Sequence, residues 1–163
     1  MKRVPLNEKG FSMLEVLITV VIVAIGLLGI AGLQITSSEY SQASLQRSQA
    51  STLARELFER MRLNPAEAKA GNYNFGELPN IDTTCRGAEK DCTAAQLTGH
   101  DLRVWSRGVR MLLPDSEAAI TTGANNGKDP VDVTITITWN QSRGQRAPVS
   151  ETFNFKLMGM DKT

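Results

Sequence analysis

Residues 11–33 read FSMLEVLITVVIVAIGLLGIAGL, and this stretch decides what kind of protein the chain is. Its one charge is Glu15, and the 18 residues from Val16 to Leu33 carry none. At ~1.5 Å of rise per residue, that span covers about 27 Å as a helix, enough for the hydrocarbon core of a bilayer. Ahead of it, MKRVPLNEKG sets Lys2, Arg3 and Lys9 against Glu8. A basic flank of this kind holds its end in the cytoplasm and sends the remainder outward. A secretory signal peptide has an apolar core of roughly 7–15 residues and a small-residue cleavage site. Here the run is longer and passes into helical periodicity, so the reading is a retained membrane helix. Glu15 is the odd residue: a carboxylate at the edge of an apolar helix costs on the order of a few kcal/mol, which makes it a functional candidate. The plainer alternative is a hydrated interfacial side chain.

Beyond Gln34 the sequence turns polar, yet Tyr40, Ala43, Ala50, Leu53, Ala54, Leu57 and Met61 recur at spacings of three and four. One apolar stripe on a polar helix packs against a globular body, with a coiled coil over Tyr40 to Met61 as the alternative. No proline occurs from Phe11 to Leu63, and Asn64-Pro65 is where the helix should stop. Gly26, Gly29, Ala31 and Gly32 are small residues that permit close helix–helix approach in the apolar part.

The run Lys9-Gly10-Phe11-Ser12-Met13-Leu14-Glu15, followed by a full apolar span, resembles the class III signal of type IV pilins and of type II secretion pseudopilins. The resemblance implies that a prepilin peptidase cuts between Gly10 and Phe11 and methylates the new N-terminal Phe11. Glu15 then becomes the fifth residue of the mature chain. The released amine of Phe11 lies among apolar surfaces, where an unpaired charge is far costlier than a paired one. The resemblance makes the Glu15 carboxylate of a neighbouring subunit its partner. Major pilins commonly carry a helix-kinking proline in this region, and its absence separates this chain from them.

In the remaining hundred residues, Pro65 to Thr98 reads as loop. Cys85 and Cys92, seven apart, lack the further ligands that a metal would need and are not a C-x-x-C redox pair. Outside the cytoplasm a structural disulfide is expected. His100-Asp101, then Leu102, Trp105, Val109, Leu112 and Leu113, reads as a short amphipathic helix that stops at Pro114. His100 and Asp101 could be drawn as half of a catalytic pair, but no nucleophile motif accompanies them. They read as a surface pair at a helix start, and Trp105 as core. Val131, Val133, Ile135, Ile137 and Trp139 alternate with Asp132, Thr134, Thr136 and Thr138 in a half-buried strand. Ala118–Thr122 forms a strand before it, joined through the turn signal Asn125-Asn126-Gly127. Thr152–Met158 forms one after it, past a polar loop NQSRGQRAPVS. Phe153 and Phe155 belong to the core in preference to a binding groove.

The whole chain has 163 residues, 41% hydrophobic and 21% charged, with a formal net charge of +1. That argues against disorder, a polytopic membrane protein and a basic nucleic-acid reader. With one histidine and two cysteines, no catalytic site, metal site or cofactor is expected, and the chain is read as no enzyme. The fold class is α+β: a long N-terminal helix, half in the membrane and half amphipathic, packed on a small antiparallel sheet. The expected organisation is a leader over 1–10, a membrane and assembly helix over 11–34, and a periplasmic or extracellular globular domain over 35–163.

The helix ending at Asn-Pro, the LRVW…LLP segment, the VTITITW strand and the C-terminal FNF strand resemble the PilV group of minor pilins. What the resemblance implies is an assembly subunit that helps prime a type IV pilus in or near its tip. Its partners would be other minor pilins and the major pilin, met through the N-terminal helix, and a tip adhesin. It would be a single-pass inner-membrane protein before assembly and part of the surface pilus after it. A minor pseudopilin of type II secretion is the alternative, and a membrane-anchored periplasmic binding protein or enzyme a more distant one.

Overall fold

The computed structural model describes residues 12–79, 85, 92–123, 130–141 and 147–158. Helix α1 runs Met13–Leu63 without interruption, as expected of a stretch with no proline. It ends where Asn64 leaves helical backbone, at φ −129° and ψ 60°, ahead of Pro65. The proline ring crowds the residue before it, and proline is tolerated at the first position of a new helix. That new helix is α2, Pro65–Lys69. The chain divides into two compact units, Met1–Gln42 and Ala43–Thr163. In the first, every described side chain is exposed.

The second unit holds the core. Helix α3 spans Ala94–Leu112, and three strands follow it: β1 Glu117–Thr122, β2 Val131–Trp139 and β3 Val149–Leu157. The described sheet has the order β1-β2-β3, antiparallel throughout. Central β2 sets Ile135 opposite both Ile120 and Phe153. Its odd-numbered residues are buried in strict alternation, as a pleated strand with one covered face requires. They meet Ala50, Leu53, Ala54, Leu57 and Met61 of α1 and Trp105 and Val109 of α3 in one core. Phe58 stacks on Phe155 with ring centroids 4.5 Å apart, and Phe153 and Phe155 are half-buried against the same core. The outward side chains pair across strands: Thr134 with Asn154, Thr136 with Thr152, Thr138 with Ser150, and Asp132 with Lys156.

Several local expectations change, and the stretch Pro65 to Thr98, expected as loop, contains α2 and the start of α3. The stripe on α1 is buried from Ala50 onward, while Tyr40, in the first unit, is exposed. Helix α3 starts six residues before His100, since Thr93 caps it. The Thr93 side chain accepts from Gln96 N–H, and the Gln96 side chain accepts from Thr93 N–H, a capping box that satisfies two orphan donors. Strand β3 begins at Val149, so the polar loop before it is shorter than the sequence implies. The Asn125-Asn126-Gly127 turn lies outside the described residues.

Asp101 is not on the surface. It is buried within α3, accepting from Arg60 Nη1 at 3.1 Å through Oδ1 and from the Tyr73 hydroxyl at 3.0 Å through Oδ2. Next to it, Asn64 Nδ2 donates to Thr98 Oγ1 at 3.1 Å and to the Ala94 carbonyl at 2.9 Å. Together these bonds tie the end of α1 and the chain after α2 to α3. Burial, with the Asp101 charge adding to it, pushes the Tyr73 hydroxyl up from 10.0 to about 12. Burial lowers the pKa of Arg60, but its bonds to Glu56 and Asp101 outweigh that and hold it above its ordinary value.

The sign of the pH dependence follows. Below about pH 10 Tyr73 is neutral whether folded or unfolded, and its contribution is fully present. Between about pH 10 and about pH 12 only the unfolded chain releases the proton, so stability falls as pH rises, by on the order of 2–3 kcal/mol. Denaturant melts of the wild type and of Tyr73→Phe at stepped alkaline pH should show a steeper loss in the wild type. Parallel curves would remove this assignment.

Candidate assembly site

The start of α1 is fixed by Ser12. Its Oγ accepts from Leu14 N–H at 3.3 Å, and its carbonyl accepts from the N–H groups of Glu15 and Val16 at 3.0 and 3.3 Å. This places Glu15 in the first helical turn, where a negative charge sits favourably against the helix dipole. It also places the carboxylate at the head of the apolar span. Gly10 and Phe11, the expected cleavage and methylation positions, lie outside the described residues.

From Val16 to Leu33 the large apolar side chains are 49–73% exposed, whereas those of the core are at most 5% exposed. A helix this apolar and this uncovered is suited to lipid or to other helices, not to water. The one hydroxyl of this span is turned onto the helix itself, Thr19 Oγ1 donating to the Val16 carbonyl at 2.8 Å, and just beyond the span Thr36 Oγ1 donates to the Gly32 carbonyl at 3.2 Å. Internal satisfaction of polar groups is what a hydrocarbon environment demands. A Cβ placed on Gly26, Gly29 or Gly32 would meet nothing within 4 Å. The fold of the single chain therefore does not call for glycine at these positions, and their smallness is available to a neighbouring helix.

Cys85 and Cys92 are joined in a disulfide, with Cα atoms 5.9 Å apart. His100 Nδ1 donates to the Cys85 carbonyl at 2.9 Å, which ties Cys85 to α3. The His100 ring is thus a structural donor, and its neighbour Asp101 turns inward to Arg60 and Tyr73. The structure separates the pair in role as well as direction. No group of three or more His, Cys, Asp or Glu residues that could hold a metal occurs among the described residues.

Two family models match the chain side by side. The one described as the prokaryotic N-terminal methylation motif covers residues 5–31, taking in Lys9, Gly10, Phe11, Glu15 and most of the apolar span. The one described as type IV pilin Tt1218 covers residues 32–103, from the rest of α1 through α2 into α3. No curated protein and no solved structure matches the chain.

Proposed function

We propose that this chain, which a type IV pilin model and the N-terminal methylation motif match side by side, is a minor pilin of the PilV group that helps prime pilus assembly in or near the tip. The family is structural rather than enzymatic, and the methylation motif implies processing by a prepilin peptidase and assembly with other pilins. One observation carries the proposal: an exposed apolar helix headed by a single carboxylate, lying under that motif. The lack of proline along α1 supports a minor over a major subunit. The peptidase cuts after Gly10, Phe11 is methylated, and the Phe11 amine of one subunit pairs with Glu15 of the next. Before assembly the chain crosses the inner membrane once with its globular part in the periplasm, and after assembly it belongs to the surface pilus. The major pilin, other minor pilins and a tip adhesin are the partners of this reading.

Processing is the first test. Loss of Met1–Gly10 removes three basic residues and one acidic residue, which takes the formal net charge from +1 to −1. Intact mass and N-terminal sequencing of the membrane-extracted protein should give a methylated Phe11 start. A chain still beginning at Met1, or one beginning near Gln34, would overturn the processing scheme. Membrane cross-linking then separates the two systems that share the motif. Recovery of pilus subunits supports the reading, and recovery of secretion-channel components would reassign the chain as a minor pseudopilin.

A further inference from the structure

Helix α3 turns one side into the core, and on its other side His100 is bonded to the Cys85 carbonyl and Arg110 to the Leu78 carbonyl. Thr98, Asp101, Leu102, Trp105, Ser106 and Val109 turn inward and are buried. At about 100° per residue, the opposite side carries parallel files of side chains. Leu97, Val104 and Met111 recur every seventh residue and are 37%, 38% and 77% exposed. Arg107 runs beside them, and Arg103 and Arg110 form the far file. Arg110 donates to the Leu78 carbonyl at 2.8 Å, which fixes its direction without neutralising it. Among the described residues, neither Arg103 nor Arg107 has a carboxylate partner. The one acidic residue of α3, Asp101, is on the buried side. This outer side therefore presents three permanent cations and no acid of its own helix beside an apolar line.

We propose that this outer side of α3 is a docking surface for an acidic amphipathic helix of another protein. Leu97, Val104 and Met111 offer a facing helix one apolar contact about every two turns. The guanidinium groups beside it suit carboxylates, which they take in paired, charge-assisted hydrogen bonds. Arginine, methionine and depletion of acidic side chains are also the composition of interface centres. A second copy is disfavoured as the occupant of this face, because symmetric pairing would set three cations against three. A lipid surface is disfavoured as well. An interfacial helix buries a broad apolar face in the headgroups, and the broad apolar face of α3 is already spent on the core. The surface is formed by α3 and does not depend on where in a fibre the subunit resides.

The test places a photoreactive amino acid at Val104 of the full-length chain in its own cells and sequences the cross-linked peptide. The expected product is a helical peptide of a different protein with acidic residues three or four positions apart. Its yield should fall about tenfold or more in the Arg103→Glu, Arg107→Glu protein and should be restored when the acids of that partner peptide are changed to lysine. Arg103→Lys with Arg107→Lys should retain most of the yield, and Met111→Ser should lower it without changing charge. These side chains lie on the outward side of α3, and an unchanged melting curve confirms that each variant is folded. A cross-link to a second copy, a lipid adduct, no cross-link, or a protein cross-link indifferent to charge reversal would each overturn the proposal.

Discussion

Replacing Asp101 with alanine should destabilise the globular unit by about 3 kcal/mol, a large fraction of the ~5–15 kcal/mol that holds a domain together. The substitution strips the Tyr73 hydroxyl of its acceptor at a fully buried position, and an orphaned buried donor costs about 1–3 kcal/mol. It also removes the nearer-to-core partner of Arg60, which keeps only Glu56 at 2.8 Å. Arg60 is partly exposed and can recover some hydration, so the loss stays below that of a fully buried ion pair. Asp101→Asn preserves an acceptor for Tyr73 and should cost roughly half as much. Thermal melts of the detergent-solubilised protein decide the matter, with a midpoint lower by roughly 10 °C for the alanine variant. With Asp101 gone, burial still raises the Tyr73 hydroxyl but the charge no longer does, so the alkaline loss of stability should shrink. A midpoint within error of the wild type would mean that α3 is held by its apolar face alone.

This cluster also marks where reading the sequence ran out. The alternation from Val131 to Trp139 and the stripe from Ala50 to Met61 were readable because their periods are local. A pleat repeats every two residues and a helix face every three or four, so neither needs knowledge of a partner. Asn64-Pro65 was readable for the same reason. Asp101 was not, because its partners Arg60 and Tyr73 are 41 and 28 residues away, and nothing in its neighbourhood distinguishes it from a solvated helix-start acid. The early start of α3 was a different kind of miss. Thr93-Ala94-Ala95-Gln96 carries the capping-box spacing in plain view, but Leu97 is the one large apolar residue of α3 before Leu102, and the preceding stretch is rich in loop-forming residues. At the candidate assembly site the position of Glu15 and the length of the apolar run were both evident from the order of residues. The files on the outer side of α3 became visible only once its buried side was known.

Changing Glu15 to alanine should abolish most incorporation into fibres while leaving the globular unit untouched. Glu15 sits in the first turn of α1, in a unit whose described side chains are all exposed. It has no part in the core, which draws its α1 residues from Ala50 onward. The melting curve, the disulfide and membrane insertion should therefore match the wild type. Assembly is another matter on the proposed mechanism. A released Phe11 amine that finds no carboxylate among packed apolar helices is an unpaired charge in a dry environment, and losing one partner of such a pair costs about 3–5 kcal/mol. At about 1.4 kcal/mol per tenfold, that is at least a hundredfold against the correctly packed state. Glu15→Gln, which keeps the shape and drops the charge, should fail nearly as badly. Glu15→Asp keeps the charge at a shorter reach and should recover part of the signal. Quantifying the chain in sheared surface fibres against the membrane pool reads all three variants on one scale. Leader removal, scored on the same samples by the mass of the mature chain, shows whether a loss arises at assembly or earlier. Wild-type incorporation of Glu15→Ala would reduce Glu15 to an interfacial side chain and end the charge-pair mechanism, with the fold and the family assignment unaffected.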